Sequence, residues 1–297
     1  MNILIVTQKV DKNDPILGFF HRWLEEFAKH YEKITVICLE KGEYDLPENV
    51  KVLSLGKEMS RGTLDIRRHI QYLWRFYQYI WRERNNYDAV FVHMNQEYVL
   101  LAGDMWRLMG KKIFLWRNHA KGSWLTRLAV QISHKVFYTS PQSFTARFRK
   151  AVMMPVGIDT DFFKPDSSVM RTPNSVLFLG RISPVKKVLE FVDWVKTTQY
   201  TATIAGPIMD KEYGGKVLKK LSDKIKYVGP VTQGEALRLY QSHEFYANKT
   251  PAGSFDKTII EALACGSKLI VDNPAAQNLR VEEHSLILLM DKLKAEI

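Results

Sequence analysis

The sequence predicts an α/β protein made of two Rossmann-like domains. Three observations predict it. Short apolar runs alternate with helical patterns through the first half of the chain. A stretch rich in Pro, Gly, Asp and Ser then interrupts the pattern near Pro155, and afterwards the same alternation begins again. The boundary is placed at 1–157 and 158–297. With 46% hydrophobic and 25% charged residues, the composition is that of a folded globular protein and excludes disorder as the main state.

The first domain opens on residues 2–7 (NILIVT), a continuous apolar run suited to a parallel strand buried on both faces. A Gly-bearing loop at 11–18 leads to a helical pattern at 19–30. Further strand-like runs occupy 33–39, 50–55, 89–93, 112–116 and 135–139, with helical stretches between most of them. The second domain restarts at 175–179 (SVLFL), followed by GRISPVKK and a helix at 188–197. Strands at 202–205, 224–228, 245–247 and 268–271 alternate with helices at 216–222, 234–242 and 257–264. Such sheets bind ligands beyond the carboxyl ends of their strands, so a cleft between the domains is the expected site.

Lysine and arginine total 43 against 32 acidic residues, a formal net charge of +11. That balance suits polyanionic partners. Nucleic acid is not expected, because no helix-turn-helix, RNP or zinc pattern is present. The densest basic cluster, 61–84, interleaves Arg67, Arg68, Arg75, Arg82 and Arg84 with six aromatic residues. It reads either as a peripheral membrane-surface helix or as a domain helix with one buried aromatic face. Two cysteines, Cys38 and Cys265, exclude a disulfide framework and a multi-cysteine zinc site. The opening MNILIVTQKV turns polar too soon for a signal peptide, and no apolar run approaches the ~18–20 residues of a membrane span. A cytoplasmic setting is expected, at the inner membrane face if 61–84 binds lipid.

The chemistry concentrates at two places in the second half. Gly180-Arg181 follows the strand at 175–179 directly, and Lys186 stands five residues beyond Arg181. A strand-to-helix turn offers backbone N–H groups, and the two side chains add full positive charges suited to a diphosphate. The competing reading is a basic helix start with solvated side chains. Farther on, GSFDKTIIEALACG opens a helix at Lys257 and Thr258, with Asp256 before it and Glu261 one turn in. A carboxylate so placed suits the two hydroxyls of a ribose, unless it is a plain surface glutamate. The triplet Asp159-Thr160-Asp161 lies in the linker, where aspartate caps turns, and no metal site is assigned to it.

These pieces together resemble the family 4 glycosyltransferases, retaining nucleotide-sugar enzymes of the GT-B fold. The matching segments are PVGIDTDFFKP (155–165), GRISPVK (180–186), Val228-Gly229 before a helix, ANKTP (247–251) and FDKTIIEALACG (255–266). Their order agrees across 155–271. The first half agrees through its opening strand, Gly18, and the strand leading to Arg117-Asn118-His119. The resemblance implies two Rossmann-like domains facing each other across a cleft. It also implies a metal-independent hexosyltransferase acting on a nucleoside-diphosphate sugar and a glycan or lipid-linked acceptor, with no cofactor.

Carried over residue by residue, the resemblance assigns Arg181 and Lys186 to the donor diphosphate and the leaving group. Glu261 binds the ribose, and the backbone at Lys257 and Thr258 meets the phosphates or the donor sugar. Gly180 belongs to the same donor loop, and Gly18 lets the first loop approach the reaction centre. His119 lies near the transferred sugar, or else is a hydrogen-bonded loop histidine; His93 is a weaker candidate. There are departures. Eight residues before Glu261, where the family has a second glutamate, stands Gly253, with Asp256 near enough to compensate partly. Lys187 replaces a frequent glycine, and Val156 a usual asparagine. Either LRVEEHSLILLMDKLKAEI supplies the terminal helix that crosses back to the first domain, or that crossover is absent. These departures motivate the alternative function, a catalytically weak nucleotide-sugar-binding subunit that works beside a partner.

Overall fold

The computed structural model describes all residues except 60–65, 252–255, 274–275 and 277. The chain divides into two units, Met1–Pro155 with Leu289–Ile297, and Val156–Leu288. The return of 289–297 to the first unit departs from the expected boundary, which placed that segment in the second domain.

The first unit runs β1 (Ile3–Val10), α1 (Phe19–His30), β2 (Ile34–Lys41), β3 (Val50–Ser54), α2 (Ile66–Glu83), β4 (Ala89–His93), α3 (Gln96–Leu108), β5 (Lys112–Trp116), α4 (Trp124–Ile132), β6 (Lys135–Tyr138) and β7 (Ala151–Met153). Its seven strands lie in the order β3-β2-β1-β4-β5-β6-β7 and pair in parallel. Ile3, Leu4, Ile5 and Val6 are all fully buried, which explains why the opening run is apolar without alternation. Beneath the helices, Val90, Val92, Ile113 and Leu115 pack with Phe76 and Ile80 of α2 and Trp106 of α3. Strand β7 is too short, and too close to Pro155, to announce itself in the sequence.

The second unit runs β8 (Thr172–Leu179), α5 (Val188–Lys196), β9 (Thr201–Ala205), α6 (Lys211–Lys219), β10 (Ile225–Gly229), α7 (Gln233–Ser242), β11 (His243–Asn248), α8 (Lys257–Ala264) and β12 (Lys268–Val271). Its strands follow the order β10-β9-β8-β11-β12, again parallel. Alternation along β8 separates two core layers. Val176 and Phe178 pack with Phe191 and Val195 of α5 and Val217 of α6, whereas Leu177 packs with Tyr240 of α7 and Ile260 of α8. The unit is therefore wound on both faces of its sheet. Helix α6 starts earlier than its apolar pattern suggests, because Asp210 caps it by accepting the Tyr213 N–H at 2.9 Å.

Helix α9 (Leu286–Glu296) carries the chain back to the first unit. There the Glu296 carboxylate meets Lys135 Nζ at 2.6 Å, and Lys292 Nζ donates to the Met153 carbonyl at 3.0 Å. Leu289 and Leu293 are fully buried. The short terminal sequence thus does supply a returning helix.

Candidate donor site in the second unit

In the second sheet the strand order reverses between β8 and β11, since β9 and β10 extend to one side of β8 and β12 extends beyond β11 on the other. Loops leaving two such strands diverge and leave room for a ligand. Gly180 and Arg181 follow β8 at this point, Asn248 ends β11, and α8 begins soon after.

The loop after β8 is shaped by its sequence. Pro184 opens a single 3₁₀ turn, Pro184–Lys186, and Lys187 closes it at φ +51, ψ +41 before α5 starts. That left-handed conformation is one glycine adopts most readily, and here a lysine holds it. The turn drives the Lys186 side chain inward, leaving the residue only 7% exposed. Its Nζ lies 2.5 Å from Asp256 Oδ1, 2.6 Å from Asp256 Oδ2 and 3.4 Å from Thr250 Oγ1.

Asp256 is the centre of a small network. Besides Lys186, Asn248 Nδ2 donates to its carboxylate at 3.0 Å and Thr250 Oγ1 at 2.8 Å. Asn248 also holds Thr250 in place, accepting its N–H at 3.0 Å. Burial pushes the Asp256 carboxyl upward, but the ammonium of Lys186 and the donated hydrogen bonds outweigh it and hold the group below the ordinary aspartate range. Although Asp256 is the N-cap residue of α8, its side chain makes no capping hydrogen bond and turns to Lys186 instead.

Behind this network α8 is tied down by two tyrosines. Tyr246 Oη reaches Thr258 Oγ1 at 2.7 Å and the Leu179 carbonyl at 3.2 Å, joining the end of β8 to the start of α8. Tyr240 Oη donates to Glu261 Oε2 at 2.9 Å. Glu261 is buried, so the plain surface-glutamate reading does not apply. Burial raises its carboxyl above the usual range, opposed by the Tyr240 hydroxyl and by Lys257; burial likewise lowers Lys257, opposed by Glu261. Lys257 Nζ also lies 3.5 Å from the Gly157 carbonyl.

The structure thus brings Lys186 and Asp256 together, and sets Thr258 and Glu261 one turn apart on the adjoining helix. Arg181 is exposed at the end of β8, and among the described residues no hydrogen bond or ion pair holds its side chain. Gly180 has open space where a Cβ would point. The demanding glycine is Gly206, at φ +134, where a Cβ would lie 2.0 Å from the Gly180 carbonyl oxygen. Gly253 and Phe255 lie outside the described residues.

In the first unit, Gly18 begins α1, and a Cβ there would meet the Asp14 carbonyl oxygen at 2.6 Å. Its loop therefore needs glycine to fold on itself. His119 is exposed beyond β5, with Nδ1 3.0 Å from both the N and O of Lys121. His93 is buried, stacked on Phe20 at 4.0 Å with Nδ1 3.2 Å from Thr7 Oγ1, which is the setting of a packed core histidine. In the linker, Asp159 Oδ1 accepts the N–H groups of Asp161 and Phe162 at 3.1 Å each, as a turn cap does. Sequence reasoning assigned no role to Asn248, Thr250, Tyr240, Tyr246 or Gly206. ANKTP was the one signal that pointed at the first two.

Solved structures with the same arrangement include sucrose-phosphate synthase from Thermosynechococcus elongatus, with a TM-score of 0.71 at 13% identity, covering 91% of this chain and 81% of the other. WaaG, a glycosyltransferase involved in lipopolysaccharide biosynthesis, aligns with a TM-score of 0.63 at 11% identity, over 99% of this chain and 90% of its own. The fold is GT-B, with two Rossmann-like units. The same fold holds the UDP-GlcNAc 2-epimerase of Methanocaldococcus jannaschii, solved with UDP-GlcNAc and UDP, at a TM-score of 0.57, 13% identity and coverage of 91% and 83%. No family model matches the sequence, and no curated protein matches it either.

Proposed function

We propose that this protein is a retaining, metal-independent glycosyltransferase. It moves a hexosyl unit from a nucleoside-diphosphate sugar to a glycan or lipid-linked acceptor in glycan biosynthesis. The observation behind this reading is the buried Lys186 ammonium at the reversal point of the second sheet, with Arg181 at the end of the same strand. As the anomeric bond breaks, negative charge grows on the leaving diphosphate; the two cations stabilise it there. Glu261 serves the ribose, and the start of α8 at Lys257 and Thr258 faces the phosphates or the sugar. Gly180 leaves room for the donor, Gly18 lets the first loop approach the reaction centre, and His119 serves the transferred sugar.

A panel of nucleoside-diphosphate sugars, read by thermal shift and by sugar transfer, tests the proposal. One donor should raise the melting temperature and support transfer by the single chain. Binding without transfer or donor hydrolysis would favour the partner-dependent subunit, and no binding by any diphosphate would end the donor reading.

The acceptor side includes a lipid surface at α2. Ile66, Ile70, Trp74 and Trp81 are 76%, 63%, 61% and 57% exposed, on a helix whose Phe76 and Ile80 are buried. The four lie on one stripe edged by exposed Arg67, with half-buried Arg68 on the other side of the helix. Arg75 is not part of that surface, because it turns inward to donate to the Leu55 carbonyl at 2.8 Å. Arg61 lies outside the described residues, and among those described no helix is long and apolar enough to cross a membrane. Sedimentation with vesicles carrying anionic lipid should fall about fivefold or more in a Trp74→Ser, Arg67→Gln variant, because one basic residue near such a surface is worth ~1 kcal/mol and loss of the indole adds to it. Unchanged sedimentation would remove α2 as the contact.

A further inference from the structure

The donor site holds an anion of its own. Lysine has three N–H groups, and those of Lys186 are directed at both Asp256 carboxylate oxygens, at 2.5 and 2.6 Å, and at Thr250 Oγ1, at 3.4 Å. The same carboxylate collects Asn248 Nδ2 and Thr250 Oγ1. A negatively charged group surrounded by an ammonium, an amide and a hydroxyl is bound as a phosphate oxygen is bound. A diphosphate that takes Lys186 must therefore take at least one N–H from Asp256, and it approaches a fixed negative charge as it does so.

We infer that the Asp256 carboxylate is a built-in competitor of the donor diphosphate: it occupies Lys186 in the empty site, yields it to the nucleotide sugar, and reclaims it as the nucleoside diphosphate leaves. The inference rests on the donor reading proposed above and adds to it the residue that sets donor and product affinity. Asp256 is a positioning residue here, because it acts through Lys186. The arrangement has two uses. Without ligand it neutralises a lysine that is otherwise almost fully buried. With product bound, it lowers the barrier to release, since Lys186 moves from one anion to another and is never left unpaired.

The test is titration of inorganic pyrophosphate into wild type, Asp256→Asn, Asp256→Ser and Lys186→Ala by calorimetry, with melting temperatures of the free proteins. Asp256→Asn should melt lower than wild type when free, yet bind pyrophosphate at least tenfold tighter. In turnover, the nucleoside diphosphate should inhibit it more strongly, with donor KM and kcat both reduced. A merely structural Asp256 would lower the melting temperature without tightening pyrophosphate. Equal or weaker binding in the variants, with binding abolished in Lys186→Ala, overturns the competition and leaves the donor reading standing. Should none of the four proteins bind pyrophosphate, the donor reading falls and the inference with it. Asp256→Ser keeps the test available if the asparagine variant does not fold.

Discussion

Lys186→Ala should lower kcat/KM for sugar transfer by about 10²–10³-fold, the loss expected when one preorganised donor to a developing anion is removed. Steady-state kinetics with the donor found in the panel measures it. The same variant should lose stability. Lys186 is 7% exposed and supplies the only cationic partner that Asp256 has among the described residues. Removing one member of a buried pair typically costs ~3–5 kcal/mol, and the hydrogen bonds from Asn248 and Thr250 soften that here. Arg181→Ala offers the contrast. Its side chain is exposed, so its loss should reduce kcat/KM while leaving the melting temperature near that of wild type. An Arg181→Ala, Lys186→Ala double variant with full activity would refute both roles.

Gly206→Ala should destabilise the second unit by about 3 kcal/mol or more, combining left-handed backbone strain with overpacking. At φ +134 the new Cβ would lie 2.0 Å from the Gly180 carbonyl oxygen and 2.7 Å from its carbon. Both are backbone atoms and cannot rotate aside. The clash would push apart the ends of β8 and β9, where the Gly180 N–H donates to the Ala205 carbonyl at 3.0 Å. Chemical denaturation compares Gly206→Ala with Gly180→Ala, whose Cβ would enter open space. The second should unfold like wild type, because nothing in the protein forbids its side chain. A Gly206→Ala as stable as wild type would mean that this turn relaxes freely.

The strands were the most legible part of the sequence. A parallel strand buried on both faces is written as an unbroken apolar run, and β1, β4 and β5 read that way. Their order in the sheets was legible only as a class, since it depends on which runs meet in space. Of the site, GRISPVK and FDKTIIEALACG were visible because loop, cation and helix start follow one another closely. The ion pair they form was not. Lys186 and Asp256 are 70 residues apart, and charge counting treats each as a separate surface group. Tyr240 and Tyr246 were silent for a similar reason: a buried tyrosine reads as core until its hydroxyl partner is known. Arg75 failed in the other direction. Its place in a basic aromatic run suggested a lipid contact, and only the Leu55 carbonyl revealed that it points inward.

The return of α9 leaves the two units unequal as pieces of chain. The second is one continuous stretch, 156–288, whereas the first is split and owns 289–297 as well. During vectorial synthesis the order of completion is thus reversed. The first unit emerges from the ribosome early but gains the contacts of α9, Glu296 with Lys135 and Lys292 with Met153 among them, only after the second has all of its strands. Nascent chains halted just before that tail should expose an unfinished amino-terminal unit beside a finished central one.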